Sequence, residues 1–307
     1  MAAPGVLLTG PPPGPGYLLG GRCRIELDRP RLMGVLNVTP DSFSDGGRFL
    51  AVEAALAQAR KMVREGADLI DVGGESTRPG APAVSAQQEL ERVLPVIEAL
   101  HRELPVPLSI DTTKSAVAAA AVAAGAAFVN DVSGLTFDPA MAATVAASAA
   151  GLFVMHTRGR PETMQADTRY ADLVSEVRDS LRRSVAVAVA AGVAPERIAV
   201  DPGIGFGKDV AGNLELLRRL GDFAELGRPI LLGTSRKSFI GRVLGLEDPL
   251  ARQAGTLATV ALGVASGALL FRVHEVGPAR EAALMAWAVC RGPAGIPGRT
   301  WLRSTDA

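Results

Sequence analysis

From Arg31 to about residue 292, short apolar runs alternate with longer segments rich in Ala, Leu, Glu and Arg. The runs are Leu32–Leu36, Leu69–Val72, Leu108–Ile110, Ala127–Val129, Leu152–Met155, Ile198–Val200, Ile230–Leu232 and Leu269–Val273. Their near-continuous hydrophobicity is what strands buried on both faces need, as in a parallel sheet. The intervening segments predict helices near Val52–Glu65, Ala86–Arg102, Lys114–Ala124, Pro139–Ser148, Leu173–Ala191, Asn213–Leu220, Pro249–Ser266 and Pro278–Val289. Pro139, Pro249 and Pro278 stand where a first helical turn tolerates proline, and Gly66, Gly125 and Gly192 stand where a helix stops. This alternation predicts the α/β class and a single (β/α)8 barrel of the TIM type, because right-handed parallel crossovers wrap helices around a cylinder of strands. A doubly wound open sheet is the alternative. Ahead of the barrel, Tyr17–Leu27 with its Gly20-Gly21 pair predicts a β-hairpin. The expected organisation is a Pro/Gly-rich tail over 1–16, one catalytic domain over 17–292 and a loose tail over 293–307.

Composition narrows the function classes. Hydrophobic residues are 48% and aromatics 4%, so a sizeable core must be built mainly from Ala, Val, Leu and Ile. Lys plus Arg equals Asp plus Glu at 32 each, which leaves no general field for nucleic acid or an anionic membrane. Anion binding must therefore be local. Cys23 and Cys290 are far apart and lack metal-type spacing, so a reduced, cytoplasmic setting is expected. No secretory signal or membrane span is expected.

The chemistry clusters immediately after the predicted strands, where a barrel carries its active-site loops. The first strand leads into Asn37–Gly47, the second into Gly73–Gly80, the third into Asp111 and the fourth into Asn130-Asp131. The fifth leads into Met155-His156, the sixth into Asp201–Lys208, the seventh into Gly233–Ser238 and the eighth into Arg272-Val-His274. Singly, each has a bland explanation. Asp111 could cap the following helix, His156 could be a core hydrogen-bonder, His101 reads as a surface residue, and Gly203–Lys208 lacks the ending of a Walker A loop. Together, Arg78, Arg236, Lys237, Arg272 and His274 bring positive charge to one rim, which suits a phosphate or diphosphate. Asp111, Asn130 and Asp201 are acceptor-rich and sit deeper, which suits a heterocycle with adjacent amino and ring N–H groups. The residues alone thus indicate a barrel enzyme acting on a phosphorylated heterocycle.

The same stretches resemble the dihydropteroate synthase family. MGVLNVTPDSFSDGG at 33–47 is similar to its first signature and DVGGESTRPGA at 71–81 to its second loop. SIDTTK at 109–114, VNDVSG at 129–134, VMHTRG at 154–159, DPGIGFGK at 201–208, GTSRKS at 233–238 and RVHEV at 272–276 follow in order. Thr157, Ile204 and Glu275 are small departures outside the core chemistry. The resemblance implies condensation of 6-hydroxymethyl-7,8-dihydropterin diphosphate with p-aminobenzoate to give 7,8-dihydropteroate and diphosphate, a step of folate biosynthesis. It implies a pterin site of Asp111, Asn130, Met155, Asp201 and Lys237, and a diphosphate site of Asn37, Thr77, Arg272 and His274. It also implies a p-aminobenzoate site of Thr77, Arg78, Pro79, Phe206, Ser235 and Lys237. Asn37 would be the protein's oxygen ligand to a Mg²⁺ carried by the diphosphate, and Asn37, Asp111, Lys237, Arg272 and His274 would carry the catalysis. The loops at 37–48 and 73–81, rich in Gly, Ser and Pro, are expected to close over the site and exclude water, and a homodimer through the outer helices near the C-terminal half is a family expectation. The rival readings are a pterin-binding methyltransferase barrel and a non-catalytic binding paralogue. The first signature and Ser235-Arg236-Lys237 argue against the former, and retention of Asn37, Arg78 and Lys237 against the latter.

Overall fold

The computed structural model describes residues 14–38, 47–76, 80–81 and 83–292. Thr77, Arg78 and Pro79, most of the first signature loop and the C-terminal tail lie outside the described residues, as do positions 1–13 of the N-terminal tail. A two-stranded antiparallel hairpin, β1 (Tyr17–Gly20) and β2 (Cys23–Glu26), precedes the main sheet. Eight parallel strands follow: β3 (Arg31–Asn37), β4 (Leu69–Gly73), β5 (Leu108–Asp111), β6 (Phe128–Asp131), β7 (Gly151–Met155), β8 (Ile198–Asp201), β9 (Leu231–Leu232) and β10 (Leu270–Val273). They pair in the order β8-β7-β6-β5-β4-β3-β10-β9. A parallel bridge between Val200 and Ile230 joins the two ends, so the sheet closes on itself. The barrel is the observed fold and the open sheet is not.

The outer layer consists of α1 (Gly47–Arg64), α2 (Ala86–Glu103), α3 (Ser115–Ala123), α4 (Met141–Ser148), α5 (Leu173–Ala190), α6 (Val210–Arg218), α7 (Ser238–Leu244), α8 (Gln253–Ala265) and α9 (Val276–Arg291). Side-chain caps account for three of the helix starts. Ser85 and Gln88 form a reciprocal capping box at α2, and Asp172 and Asp209 cap α5 and α6 by accepting from Ser175 and Gly212 backbone N–H groups. The Asp209 cap starts α6 three residues before the predicted Asn213. The predicted helix over Pro249–Ser266 is a 3₁₀ turn over Pro249–Arg252 followed by α8, because Asp248 caps the turn separately. Helix α7 was not predicted. Its seven residues lie too close to the Ser235–Lys237 cluster to show their own periodicity.

The core fills the barrel and the space between strands and helices, with Phe128, Phe153, Phe223 and Phe271 fully buried. The hairpin closes the end of the barrel opposite the chemistry. Leu18, Ile25 and Leu27 are buried, and the Gly21 N–H donates to Ala149 O at 2.9 Å. The turn is Gly21-Arg22, with Gly20 still paired to Cys23 rather than in the turn. Gly20 is required by close approach: a Cβ there would lie 2.6 Å from Ala127 O and from the Phe128 ring.

Candidate active site

Strand register brings the predicted groups into one row. Asn37 is level with Gly73, Gly73 with Asp111 and Asp111 with Asn130, so four adjacent strands present these positions at the same height. Asn37 is exposed at the mouth, while Asp111 and Asn130 are buried. Gly73 leaves a hollow between them. A Cβ at that position would stand 3.7 Å from both Asn37 Oδ1 and Asp111 Oδ2. On the far side Gly233 does the same, with Arg272 Cβ and Asp201 Oδ2 each 3.8 Å from where its Cβ would be.

A chain of charges crosses the barrel below this mouth. Arg272 Nη2 donates to Asp111 Oδ2 at 2.8 Å and Arg272 Nε to Asp71 Oδ2 at 2.7 Å. The same Asp71 oxygen accepts from Asn130 Nδ2 at 3.0 Å. Asp111 is therefore the partner of a cation and not a helix cap; Lys114 occupies the cap position of α3. Burial pushes the Asp111 carboxyl up to about 7, against the pull of Arg272 and with the repulsion of Asp71 adding to it. Its Oδ1 is buried without a hydrogen-bond donor among the described residues, so a ligand N–H would find an open acceptor there.

Asp201 ends β8, level with buried Met155 at the end of β7. Its Oδ1 accepts from Gly203 N–H at 2.7 Å, and burial raises its pKa against the attraction of Lys237. Lys237 donates to Ile204 O and stands 4.4 Å from the centre of the Phe206 ring. Burial lowers its pKa to about 8, opposed by Asp201. Phe206 and Lys237 thus form one aromatic–cation wall beside Asp201. Ser235 Oγ and His274 Nδ1 are 2.9 Å apart, and the His274 N–H donates to the same Oγ at 3.2 Å. The described members of the predicted set therefore surround one mouth.

Arg236 departs from the reading of free rim charge. It is ion-paired to Glu275, with its backbone in the left-handed region at φ 61° and its N–H bonded to Thr256 Oγ1 at 3.1 Å. His156 is the core hydrogen-bonder that the bland reading offered. Its Nδ1 accepts from Lys208 Nζ at 2.8 Å, and burial together with Lys208 lowers its pKa to about 2, so the ring is neutral. His101 is exposed on α2, as the sequence indicates.

Two residues of this architecture were missed. Lys208 is buried and donates to His156 Nδ1, His156 O at 3.1 Å and Gly203 O at 2.8 Å, which ties the loops after β7 and β8 together. Gly203 follows from that knot: a Cβ there would collide with His156 O at 1.9 Å. Asp71 is fully buried within β4. The signal for it was a carboxylate inside an otherwise apolar strand. Beside the mouth, Glu75, Lys114, Phe137 and Arg160 are among the residues lining a cavity of about 250 Å³ that shares none of the converging groups.

For a divalent cation, the donor set is sparse. Among the described residues no group of three or more His, Cys, Asp or Glu could hold a metal ion. A single amide oxygen, Asn37 Oδ1, over the Gly73 hollow fits an ion that arrives already ligated by diphosphate and water. It does not fit a protein-only metal cage.

A family model described as pterin binding enzyme matches residues 33–274. The chain is 51% identical over 248 residues to a dihydropteroate synthase of Synechocystis sp., covering 81% of this chain and 86% of the relative. It is 49% identical over 245 residues to that of Bacillus subtilis, covering 80% and 83%, and 42% identical over 258 residues to that of Escherichia coli K12, covering 84% and 91%. Among solved structures, a Xanthomonas albilineans dihydropteroate synthase with 4-aminobenzoic acid superposes with a TM-score of 0.85 at 46% identity, covering 91% of this chain and 99% of that one. A Clostridium difficile dihydropteroate synthase in the presence of pteroic acid gives 0.81 at 46% identity, covering 89% and 98%.

Proposed function

The chain belongs to the dihydropteroate synthase family, and from that premise we propose how its own residues divide the work. The reaction joins 6-hydroxymethyl-7,8-dihydropterin diphosphate to p-aminobenzoate, giving 7,8-dihydropteroate and diphosphate. The observation that carries the division is the single mouth ringed by the Asn37–Asn130 row, Asp201, Lys237 and the Ser235–His274 pair.

Asp111, Asn130 and Asp201 take the N–H edge of the pterin, Lys237 donates to its ring carbonyl, and Met155 packs against it. Asn37, Arg272 and His274 face the diphosphate, joined by Thr77. Phe206, Lys237 and Ser235 border the p-aminobenzoate, and Thr77, Arg78 and Pro79 are assigned to the same substrate. In the reaction the bond from the pterin CH₂ carbon to the diphosphate oxygen breaks first, and the electron pair leaves with the diphosphate. The amine nitrogen then bonds to that carbon and loses a proton. Asp111, ionised and without a donor on Oδ1, stabilises the positive charge left on the ring, an electrostatic contribution of the kind that dominates many active sites. Mg²⁺ held by Asn37 Oδ1 would neutralise charge on the leaving diphosphate. The loops at 37–48 and 73–81 exclude water from the cation.

The enzyme is further a homodimer of the cytoplasm. Support for the first is an apolar outer face at Val243, Leu244, Leu250, Leu262, Met285 and Val289, all exposed on α7, α8, α9 and the turn before α8. Support for the second is two unpaired cysteines, and no helix among the described residues is long and apolar enough to cross a membrane.

The test is diphosphate release from the dihydropterin substrate with and without p-aminobenzoate. Release that depends on the amine, with dihydropteroate formed one for one, is expected. Pterin binding without release would leave a binding protein, and methyl transfer from a methylated folate would mark the rival barrel.

A further inference from the structure

Asp71 belongs to none of the ligand sites above, yet it is a fully buried carboxylate on which two ligand-site residues converge. Its Oδ2 accepts from Arg272 Nε at 2.7 Å and from Asn130 Nδ2 at 3.0 Å. An ionised carboxylate only accepts, so it dictates which end of the Asn130 amide turns toward it. The amide nitrogen is then committed downward, and nothing among the described residues donates to Asn130 Oδ1. The oxygen is left as the cleft-side group. Without Asp71 the planar amide could turn over, presenting N–H to the N–H edge of a pterin. Arg272 would also lose one of the two carboxylates that hold its guanidinium between β4 and β5.

We propose that Asp71 is a positioning residue for pterin recognition: it fixes the Asn130 amide with its oxygen toward the cleft and anchors Arg272 beside Asp111. The inference rests on the synthase reading and deepens its pterin site. It makes a prediction that a general structural role does not. A carboxylate at position 130 has oxygens at both ends and cannot be aimed wrongly. Asn130→Asp is therefore harmful while Asp71 is present, because two carboxylates then face each other across about 3 Å. In the absence of Asp71 the same substitution is beneficial, since it restores both the cleft acceptor and a counter-charge for Arg272.

The experiment is a double-mutant cycle on the full chain, comparing Asp71→Ala, Asn130→Asp and the double variant with wild type. Calorimetric Kd for the dihydropterin diphosphate, KM for p-aminobenzoate, kcat and Tm are measured for each. Asp71→Ala is expected to weaken pterin binding by about ten- to hundredfold, with the KM for p-aminobenzoate within about threefold. The double variant is expected to bind pterin at least about fivefold more tightly than either single variant. Equal damage from Asn130→Asp in both backgrounds, or an unchanged pterin Kd in Asp71→Ala, would overturn the proposal. Should Asp71→Ala not fold, the double variant against Asn130→Asp decides: tighter pterin binding supports the proposal, and weaker binding overturns it. Wild-type turnover reports on the synthase reading by itself, so an active wild type with a failed cycle removes only the role of Asp71.

Discussion

Asn37 is the clearest point at which a single side chain separates binding from turnover. It is exposed at the mouth, whereas Asp111 and Asn130, assigned to the ring, are buried, so Asn37→Ala is expected to lower kcat by about 10²-fold or more at saturating Mg²⁺ while the pterin Kd stays within about threefold. Unchanged steady-state rates would remove its assigned role. The titrating groups predict a pH profile. Asp111, at about 7, must be ionised to stabilise a cationic ring, and Lys237, at about 8, must be protonated to donate. A plot of kcat/KM against pH is therefore expected to rise through about 7 and fall through about 8, and Lys237→Arg should move the alkaline limb upward. A flat profile across that range would mean neither ionisation governs the step. The sign for stability is opposite to the sign for activity at Asp111. Its folded pKa lies above its ordinary 3.8, so its contribution to the fold is full below about pH 4 and is lost as pH rises through 7. Asp111, Asn130, Asp201 and His274 were legible because each follows an apolar run directly, and Ser235 and Lys237 because they lie within five residues of one. The partners of Arg272 were not, because Asp71 is 201 residues away and meets it only when the barrel closes. Lys208 was hidden for the same reason, since its acceptors include the backbone of a different loop.

Among the elements, the strands were the most legible because burial on both faces demands unbroken hydrophobicity, which few other structures impose. β9 is the shortest at two residues, Leu231–Leu232, yet its run stood out because Leu-Leu is framed by Pro229 and Gly233. Helix starts were unevenly legible: α5 begins at the predicted Leu173 after its Asp172 cap, whereas the Asp209 cap starts α6 three residues before the predicted Asn213. The hairpin has a different role from the catalytic loops, since it covers the opposite end of the barrel. Packing without chemistry at that end gives a clean prediction. Leu18→Ala, which empties a fully buried site under the barrel, is expected to cost about 2–5 kcal/mol of stability. Denaturant unfolding should show the loss, while kcat/KM at 25 °C stays within about twofold. A large loss of activity in folded protein would mean that the hairpin reaches the chemistry.

At the scale of the whole molecule, the proposed homodimer would keep assembly apart from catalysis. Of the nine large apolar residues exposed among the described residues, six lie on α7, α8, α9 and the turn before α8, while Val187, Val189 and Leu214 lie on α5 and α6. Leu262, Met285 and Val289 are each more than 60% exposed, an arrangement that leaves apolar area in water unless a second surface covers it. A two-fold contact through this face would need about 800 Å² from each partner to be stable, and helix-on-helix packing of α8 and α9 can supply it. The face carries few charges at its centre, so placing one there opposes burial directly. Leu262→Glu combined with Met285→Glu is therefore expected to convert a particle of twice 31.7 kDa into a 31.7 kDa monomer by light scattering. Because neither residue lies near the mouth, kcat per chain should remain within about twofold. A wild-type chain that is already monomeric at micromolar concentration would sink the assembly argument and leave the chemistry of the mouth untouched.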